Sequence, residues 1–464
     1  MAVEPVEDTG AQEEEEGHQQ EASELPELLE LIDLAETASQ DVEKFVEVLR
    51  NIGQRIRATP SDRDLLSDFE GISQICQALK AEHAWRGKAM LAFCRIMPDV
   101  CRTSVVNRAS LRDAGFLSAS AEMLRDSLRE KDEATATSVS TALCAMCTAN
   151  DANKQIALLA DPGDVEETQQ GAEEEHVPGA LRLLLDALKL FPASGQLQAE
   201  ALAALRSLVV DDDSRKADCE PAAVQNREVL LSQEVYPEVK MIVQQACQLS
   251  QEQSHVKIAE QALLMLREIA RGQERIQDLA RPSCKLLSFV QKSLESSEPR
   301  ILRGALGVLR AFALCEDVRD ELSLSCETLR YAKAIRQHLA TPVVCEQGFG
   351  LLANLTMRNP AMASFLNDSD HQIVSLGQQV IQKHVDRPDV AKSVIQLLWS
   401  VARQNPKAAA EVRELELFVA MRRMVSQHEG EQRWHGAVEA SRQFLREFRE
   451  DQGIQKQAVY NDYY

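Results

Sequence analysis

Five arginines recur at equivalent places in a series of similar apolar phrases along the chain. Arg206, Arg267 and Arg310 each follow a leucine that opens such a phrase, and Arg271 and Arg403 lie five residues after a leucine of this kind. A guanidinium group is planar, always charged, and able to bind a carboxylate or phosphate through two parallel hydrogen bonds. The pattern indicates a site for an acidic ligand, or arginines that pair with neighbouring Glu and Asp side chains. The sequence leaves both interpretations open.

Two other clusters of reactive side chains have simpler explanations than a metal site. Cys144 and Cys147 form an isolated C-x-x-C pair, and a structural zinc ion would need two more ligands at suitable spacing. The triplet Asp211–Asp213 has the oxygen ligands that divalent cations prefer, but it also suits the capping of the next helix. The chain has no Gly-rich phosphate loop, HExxH motif or nucleophile elbow. We therefore predict a protein that is not an enzyme, with no catalytic residues, metal or cofactor.

The leucines that precede the arginines belong to a repeating apolar pattern, in which a second apolar residue follows three positions later. The repeated positions are Phe93, Leu143, Leu205, Leu266, Leu309, Leu352 and Leu398. They are separated by 50, 62, 61, 43, 43 and 46 residues. The last three intervals match the period of about 40–47 residues in armadillo and HEAT repeats. The sequence predicts an all-α fold, a right-handed superhelical armadillo-repeat solenoid of about eight repeats.

The open face of such a solenoid follows from helical geometry. Relative to each core leucine, positions −2, +1, +2 and +5 lie on the opposite side of the helix. Besides the arginines, these positions hold mostly small or neutral residues such as Gly307 and Gly350, with Glu268 as the acidic exception. The expected function is a non-enzymatic protein-protein interaction scaffold that binds its partner in the concave groove. The predicted partner-binding residues are Arg206, Arg267, Arg271, Arg310, Asn354 and Arg403.

The partner is expected to contribute an acidic or apolar segment. Nuclear-import receptors with this fold hold basic peptides through Trp at −2 and Asn at +2 in successive repeats, whereas this chain has no Trp at −2 and only Asn354 at +2. Binding of nucleic acid or a phosphorylated ligand by the arginines is the alternative function. The net charge of −22 argues against a basic nucleic-acid surface, since the chain is neutral overall outside residues 1–43 and 161–178.

Composition predicts three segments. Residues 1–23 are acidic, contain almost no large apolar residues and should form a disordered tail. Residues 24–449 should form the solenoid, with inserted loops near 161–178 and 211–226, and residues 450–464 a C-terminal tail. The acidic segments could lie in the arginine-lined groove and compete with a partner, or they could serve only solubility. No apolar stretch is long enough to cross a membrane, so we predict a cytoplasmic protein that could also enter the nucleus.

Several phrases resemble those of one protein family. TPVVCEQGFGLLANLTMRNP, at 341–360, is similar to a late repeat of the armadillo-repeat-containing protein six family, and LRSLVVDDDSR, at 205–215, is similar to its central repeat. The resemblance extends over roughly residues 198–424. It departs at 216–224, where the family has Gly and His residues in the loop after the Asp run. The resemblance implies an α-solenoid interaction protein with no recognised activity.

Overall fold

The computed structural model describes residues 27–83, 85–159, 179–213, 215, 221–368, 372–415 and 417–461. Within these ranges the regular elements are 26 α-helices and two 3-10 turns, Pro282–Cys284 and Gln432–Trp434, with no strand. The prediction of an all-α solenoid is confirmed. The predicted tail 1–23 and loop 161–178 lie outside the described residues.

The chain divides into two compact units, Met1–Gln261 and Ala262–Tyr464, and the boundary falls within one helix. In the described part of the first unit the complete helices are α1 (Leu28–Ala38), α2 (Val42–Ala58), α3 (Asp62–Asp68), α4 (Gly71–His83), α5 (Gly87–Cys101), α6 (Val105–Asp113), α7 (Phe116–Glu130), α8 (Glu133–Cys147), α9 (Asp151–Leu159), α10 (Gly179–Leu190), α11 (Gly195–Val209), α12 (Ala222–Leu230) and α13 (Tyr236–Glu252). The helix that contains the boundary is α14 (Val256–Ile269).

In the described part of the second unit the remaining helices are α15 (Gln273–Ala280), α16 (Leu286–Ser293), α17 (Pro299–Phe312), α18 (Glu316–Leu322), α19 (Ser325–Gln337), α20 (Pro342–Thr356), α21 (Pro360–Leu366), α22 (Ile373–Lys383), α23 (Pro388–Gln404), α24 (Pro406–Glu414), α25 (Leu417–Gln427) and α26 (His435–Asn461). Five of these twelve helices begin with a proline, which suits the first helical position because the N–H there has no intrahelical partner.

Long helices recur along the chain, and neighbouring long helices pack side by side within each unit. In the first unit α2, α5, α8 and α11 pack in this order, and in the second α17, α20, α23 and α26 do so. The repeated apolar positions lie in these contacts, because Phe93, Leu309, Leu352 and Leu398 are fully buried. The seven repeated positions lie on α5, α8, α11, α14, α17, α20 and α23, and α2 packs against α5, so the described residues contain eight helices of this kind, the predicted number of repeats.

Close helix approach depends on small residues at particular places. A Cβ added to Gly53 of α2 would lie 2.6 Å from Cγ2 of Ile96 in α5. A Cβ on Gly348 of α20 would lie 2.4 Å from Cγ1 of Ile335 in α19. Since carbon atoms in contact stay more than 3 Å apart, these glycines allow their helices to pack closely.

Two boundaries differ from the sequence expectation. The last helix, His435–Asn461, crosses the boundary placed between the solenoid at 24–449 and the tail at 450–464. Helix α12 begins at Ala222, inside the range that was assigned to the second loop. At the other end, α1 buries Leu28, Leu31 and Ile32 in the core of the first unit.

Replacing Leu309 by Ala should lower the free energy of unfolding by about 2–5 kcal/mol, because the buried side chain leaves a cavity. Leu314→Ala removes the same atoms from a side chain that is 66% exposed, so its effect should stay below about 0.5 kcal/mol. Chemical denaturation followed by circular dichroism measures both. Equal effects would contradict the role of the repeated leucines as core residues.

Candidate partner-binding face

We call the outward residues of α14, α17, α20 and α23 in the second unit, together with Arg271 just after the end of α14, the long-helix face. It carries five of the six predicted partner-binding residues: Arg267, Arg271, Arg310, Asn354 and Arg403. Arg271 and Arg403 are exposed, and the other three are partly exposed. Positions −2 of the pattern, expected on the same open surface, are instead buried at Leu264, Gly307 and Gly350. The exposed part of the face is therefore formed mainly by positions +1, +2 and +5.

Arg267 and Arg271 share one buried carboxylate. Nη2 of Arg267 donates to Oε1 of Glu268 at 2.9 Å, and Nη2 of Arg271 donates to Oε2 at 3.1 Å. The Glu268 side chain is only 4% exposed, so the two guanidinium groups satisfy and neutralise it. These two arginines pair with a neighbouring acid, and one net positive charge remains for the group of three.

Arg310 is held mainly by packing against the next long helix, and only weakly by an ion pair. Its Nη1 lies 3.9 Å from Oε1 of Glu346, near the limit of an ion pair. Burial lowers the pKa of Arg310, while Glu346 acts in the opposite direction. Burial also raises the pKa of Glu346, and Asp389 adds to this effect. The side-chain amide of Asn354 is already used in part within the chain, because its Nδ2 donates to the carbonyl oxygen of Arg310 at 2.9 Å.

The buried glycines at position −2 make room for the arginines of the preceding helix. A Cβ on Gly350 would lie 2.4 Å from Cζ of Arg310, and a Cβ on Gly307 would lie 3.3 Å from Cδ of Arg267. Each of these arginines therefore lies across the backbone of the next long helix. The sequence pattern contained both the arginines and the glycines, but their pairing across about 40 residues became visible only in the structure.

Arg403 belongs to a different group of residues at the end of α23. Its Nε lies 3.2 Å from Oε1 of Glu447 in α26, and its Cζ lies 5.5 Å from the ring centroid of Trp399. The indole Nε1 of Trp399 donates to Oε2 of the same carboxylate at 2.5 Å. Sequence analysis missed Trp399, although it occupies position +1 after Leu398, where three other repeats have arginine.

A groove of about 770 Å3 lies beside this group, between α23 and α26. Trp399, Arg403 and Glu447 line it together with residues from both helices: Lys392, Ile395, Gln396, His435, Gly436, Glu439, Ala440, Gln443 and Arg446. It lies within the range of about 300–1,000 Å3 that is typical of ligand sites. The groove continues the long-helix face at its C-terminal end.

Arg206 lies on α11 in the first unit. It is partly exposed, and its Nε is buried without a hydrogen-bond partner among the described residues. Burial raises the pKa of the neighbouring Cys144 thiol, whereas the charge of Arg206 lowers it. Glu200, also close to this thiol, pairs with Lys257 at 2.5 Å.

Two carboxylates of the Asp triplet, those of Asp212 and Asp213, have partners within the first unit. The fully buried Lys154 donates from Nζ to Oδ1 of Asp212 at 2.6 Å and to the carbonyl oxygen of Val210. Asp213 accepts from the backbone N–H of Asp151 at 2.9 Å and from Arg215 at 2.7 Å. Asp213 therefore caps the start of the earlier helix α9 and not the next helix as expected, since the N–H groups of Ala222 and Ala223 at the start of α12 donate to Asp151. Within the described ranges, no group of three or more His, Cys, Asp or Glu residues could hold a metal ion.

None of the helices in the described ranges has an apolar stretch long enough to span a bilayer. No protein-family model matches this chain. A stretch of 66 residues, 14% of the chain, is 36% identical to Armadillo repeat-containing protein 6 of Pongo abelii and covers only 13% of that relative.

Two solved structures are also similar to the chain. One is an engineered protein, with a TM-score of 0.48, 14% identity, and coverage of 90% of this chain and 98% of the other. The second comes from a study described as "A conserved phosphorylation switch controls the interaction between cadherin and beta-catenin in vitro and in vivo", with a TM-score of 0.47, 14% identity, and coverage of 90% and 83%. The short sequence match supports a relationship to armadillo-repeat proteins. The two solved structures add nothing to this inference.

Gly350→Ala tests the position of Arg310. Alanine favours a helix over glycine by about 1 kcal/mol, but here its Cβ would collide with the guanidinium group. We expect little or no stabilisation in the natural chain and a gain of up to about 1 kcal/mol in the Arg310→Ala background. A double-mutant cycle of unfolding free energies measures the coupling. Identical effects of Gly350→Ala in the two backgrounds would contradict the contact.

Asp213 should contribute to acid stability. Burial alone would raise the pKa of its carboxyl, but hydrogen bonds from Arg215 and the Asp151 backbone hold that pKa at about 2. Since the folded pKa lies below the unfolded value of about 3.9, the contribution is complete above about pH 4 and is lost as pH falls toward 2. The difference in unfolding free energy between the natural chain and Asp213→Asn should shrink over this range. A constant difference would contradict this assignment.

Proposed function

We propose that this protein is a non-enzymatic interaction scaffold of the armadillo-repeat-containing protein six family, and that it binds a partner protein through its long helices. The partner contributes an acidic or apolar segment. In the second unit this segment lies on the long-helix face, at Arg267, Arg271, Arg310, Asn354 and Arg403. Arg206 of the first unit is the sixth proposed binding residue, and the protein acts in the cytoplasm or the nucleus.

The ordering of the guanidinium groups carries this proposal. Arg267 lies across Gly307 and Arg310 across Gly350, yet each side chain remains 30% exposed. Immobilising a long side chain on binding costs about 0.5–1.5 kcal/mol. Donors that are already held in place avoid part of this cost, so the long-helix face is prepared to receive a carboxylate.

Charge alone is not sufficient for tight binding at this face. Glu268, Glu346 and Glu447 each lie within 4 Å of an arginine of the set, so a ligand carboxylate has to compete with an internal one. An exposed ion pair contributes about 0–1 kcal/mol. The partner therefore has to bury apolar surface as well, and a segment that alternates acidic and apolar side chains meets both requirements.

The same internal carboxylates disfavour the alternative of nucleic-acid binding. A protein that binds the phosphate backbone releases counterions in proportion to the phosphates that it neutralises. Arginines that already share Glu268 or Glu447 offer little uncompensated charge for this purpose. Salt dependence separates the two functions, since six to ten phosphate contacts would weaken binding about 10³–10⁵-fold between about 50 and 200 mM salt.

Quantitative affinity purification from cell extract tests the proposed function. The double variant Arg271→Gln, Arg310→Gln removes two positive charges from the long-helix face without adding a carboxylate beside Glu346. Loss of two contacts of about 0.7 kcal/mol each should reduce capture of specific partners about tenfold. The matched control Lys292→Gln, Lys333→Gln removes two charges from α16 and α19, where both lysines are exposed.

The control variant should retain the partners, and circular dichroism should confirm that both variants are folded. Equal capture by the natural chain and the long-helix variant would contradict the proposed face. Partners that are lost from both variants alike, or that are released steeply by salt and by nuclease treatment, would favour the nucleic-acid alternative.

A further inference from the structure

The groove between α23 and α26 contains a carboxylate-binding arrangement that is occupied by the chain itself. The indole N–H of Trp399 and Nε of Arg403 each contact one oxygen of Glu447, at 2.5 and 3.2 Å. An indole N–H and a guanidinium group can only donate hydrogen bonds. The pair therefore binds a hydrogen-bond acceptor, anionic or neutral, and repels a cation. Glu447 comes from α26, and its side chain is 35% exposed. A carboxylate from outside could therefore replace it.

The same groove has two further basic side chains beside Arg403. Lys392 and Arg446 line it, and neither forms an ion pair with any residue that the structure describes. Lys392 lies across α26, because a Cβ on Gly436 would lie 3.1 Å from its Cδ and 3.4 Å from its Nζ. The remaining acid of the wall, Glu439, is engaged by Arg442 at 2.7 Å. The groove is thus complementary to added negative charge.

Apolar surface lies between these charges. Trp399 and Ala440 are partly exposed and line the groove, and Ile395 borders it but is fully buried. Aromatic rings supply a large apolar area at low entropic cost, and they contribute strongly to protein interfaces. The chemistry of the lining therefore matches a peptide with two or more carboxylates that flank an apolar side chain.

We propose that this groove binds an acidic segment of a partner protein, and that Glu447 is an internal competitor that the partner's carboxylate displaces from Trp399 and Arg403. This inference rests on the proposed function and assigns one site to it. The partner binds only the molecules in which Glu447 has left the site, so the apparent association constant is the intrinsic constant multiplied by the fraction of such molecules. Because Glu447 is attached to α26, its effective concentration at the site is high.

Titration of the full chain with a labelled synthetic peptide tests the site. The probe has three repeats of Glu-Leu-Glu-Gly, and its controls replace Glu by Lys or by phosphoserine. Binding is followed by fluorescence anisotropy and by the NMR signal of the Trp399 indole N–H, assigned from its loss in Trp399→Phe. The acidic probe should shift this signal to saturation, and the lysine probe should leave it unchanged.

Variants separate the competitor from the ligand contacts. Glu447→Ala should tighten binding of the acidic probe about tenfold, as expected if Glu447 occupies the site in nine of ten molecules. Arg403→Gln and Lys392→Gln should each weaken it, while the distant Lys333→Gln should have no effect. Binding unchanged or weakened in folded Glu447→Ala would overturn the role of Glu447, and stronger binding of the phosphoserine probe would overturn the preference for carboxylates.

The outcomes also distinguish this site from the proposed function. If the probe binds but only Arg271→Gln, Arg310→Gln weakens it, the long-helix face is the binding surface and the groove is not. If the acidic probe causes no change in anisotropy or in the indole signal up to about 1 mM, the groove proposal fails. Partner capture by affinity purification then decides the proposed function independently.

Discussion

Within each unit, successive long helices pack side by side and the repeated apolar residues are buried there, and the other features of the molecule depend on this packing. In the second unit Leu309, Leu352 and Leu398 are fully buried in this way. Because the contact recurs at one helical position, it also fixes which side chains point outward. Residues +1 and +2 of successive helices then lie in corresponding places. Functional side chains can therefore form a continuous surface although about 40 residues separate them.

Close packing also determines how the charged side chains are held. Arg267 and Arg310 fit across the next helix because glycine replaces a larger residue at 307 and 350. Lys392 makes the same kind of contact with Gly436. A basic side chain of one helix thus rests on a glycine of the next at three places in the second unit. This arrangement orders the positive groups without covering them.

The fold could be predicted from sequence because the repeated leucines, their intervals and the scarcity of turn residues all indicate stacked helices. The outward positions of the arginines follow from the same periodicity. Their partners do not, since the sharing of Glu268 depends on rotamers and burial. The contact of Trp399 with Glu447 joins positions 48 residues apart. The length of α26 was also missed, because its charged sequence lacks the apolar spacing that indicates a packed helix.

The central claim is that a partner protein contacts the outward surface of the long helices in the second unit. Site-specific photo-crosslinking tests it most directly, with a benzophenone amino acid placed at Ala311 or Ser400 on that surface, or at Lys333 on α19. All three sites are at least partly exposed, so the probe can be accommodated. The account predicts that one partner is crosslinked from Ala311 and Ser400 and not from Lys333. Crosslinking of that partner from Lys333 alone, or equally from all three sites, would contradict it.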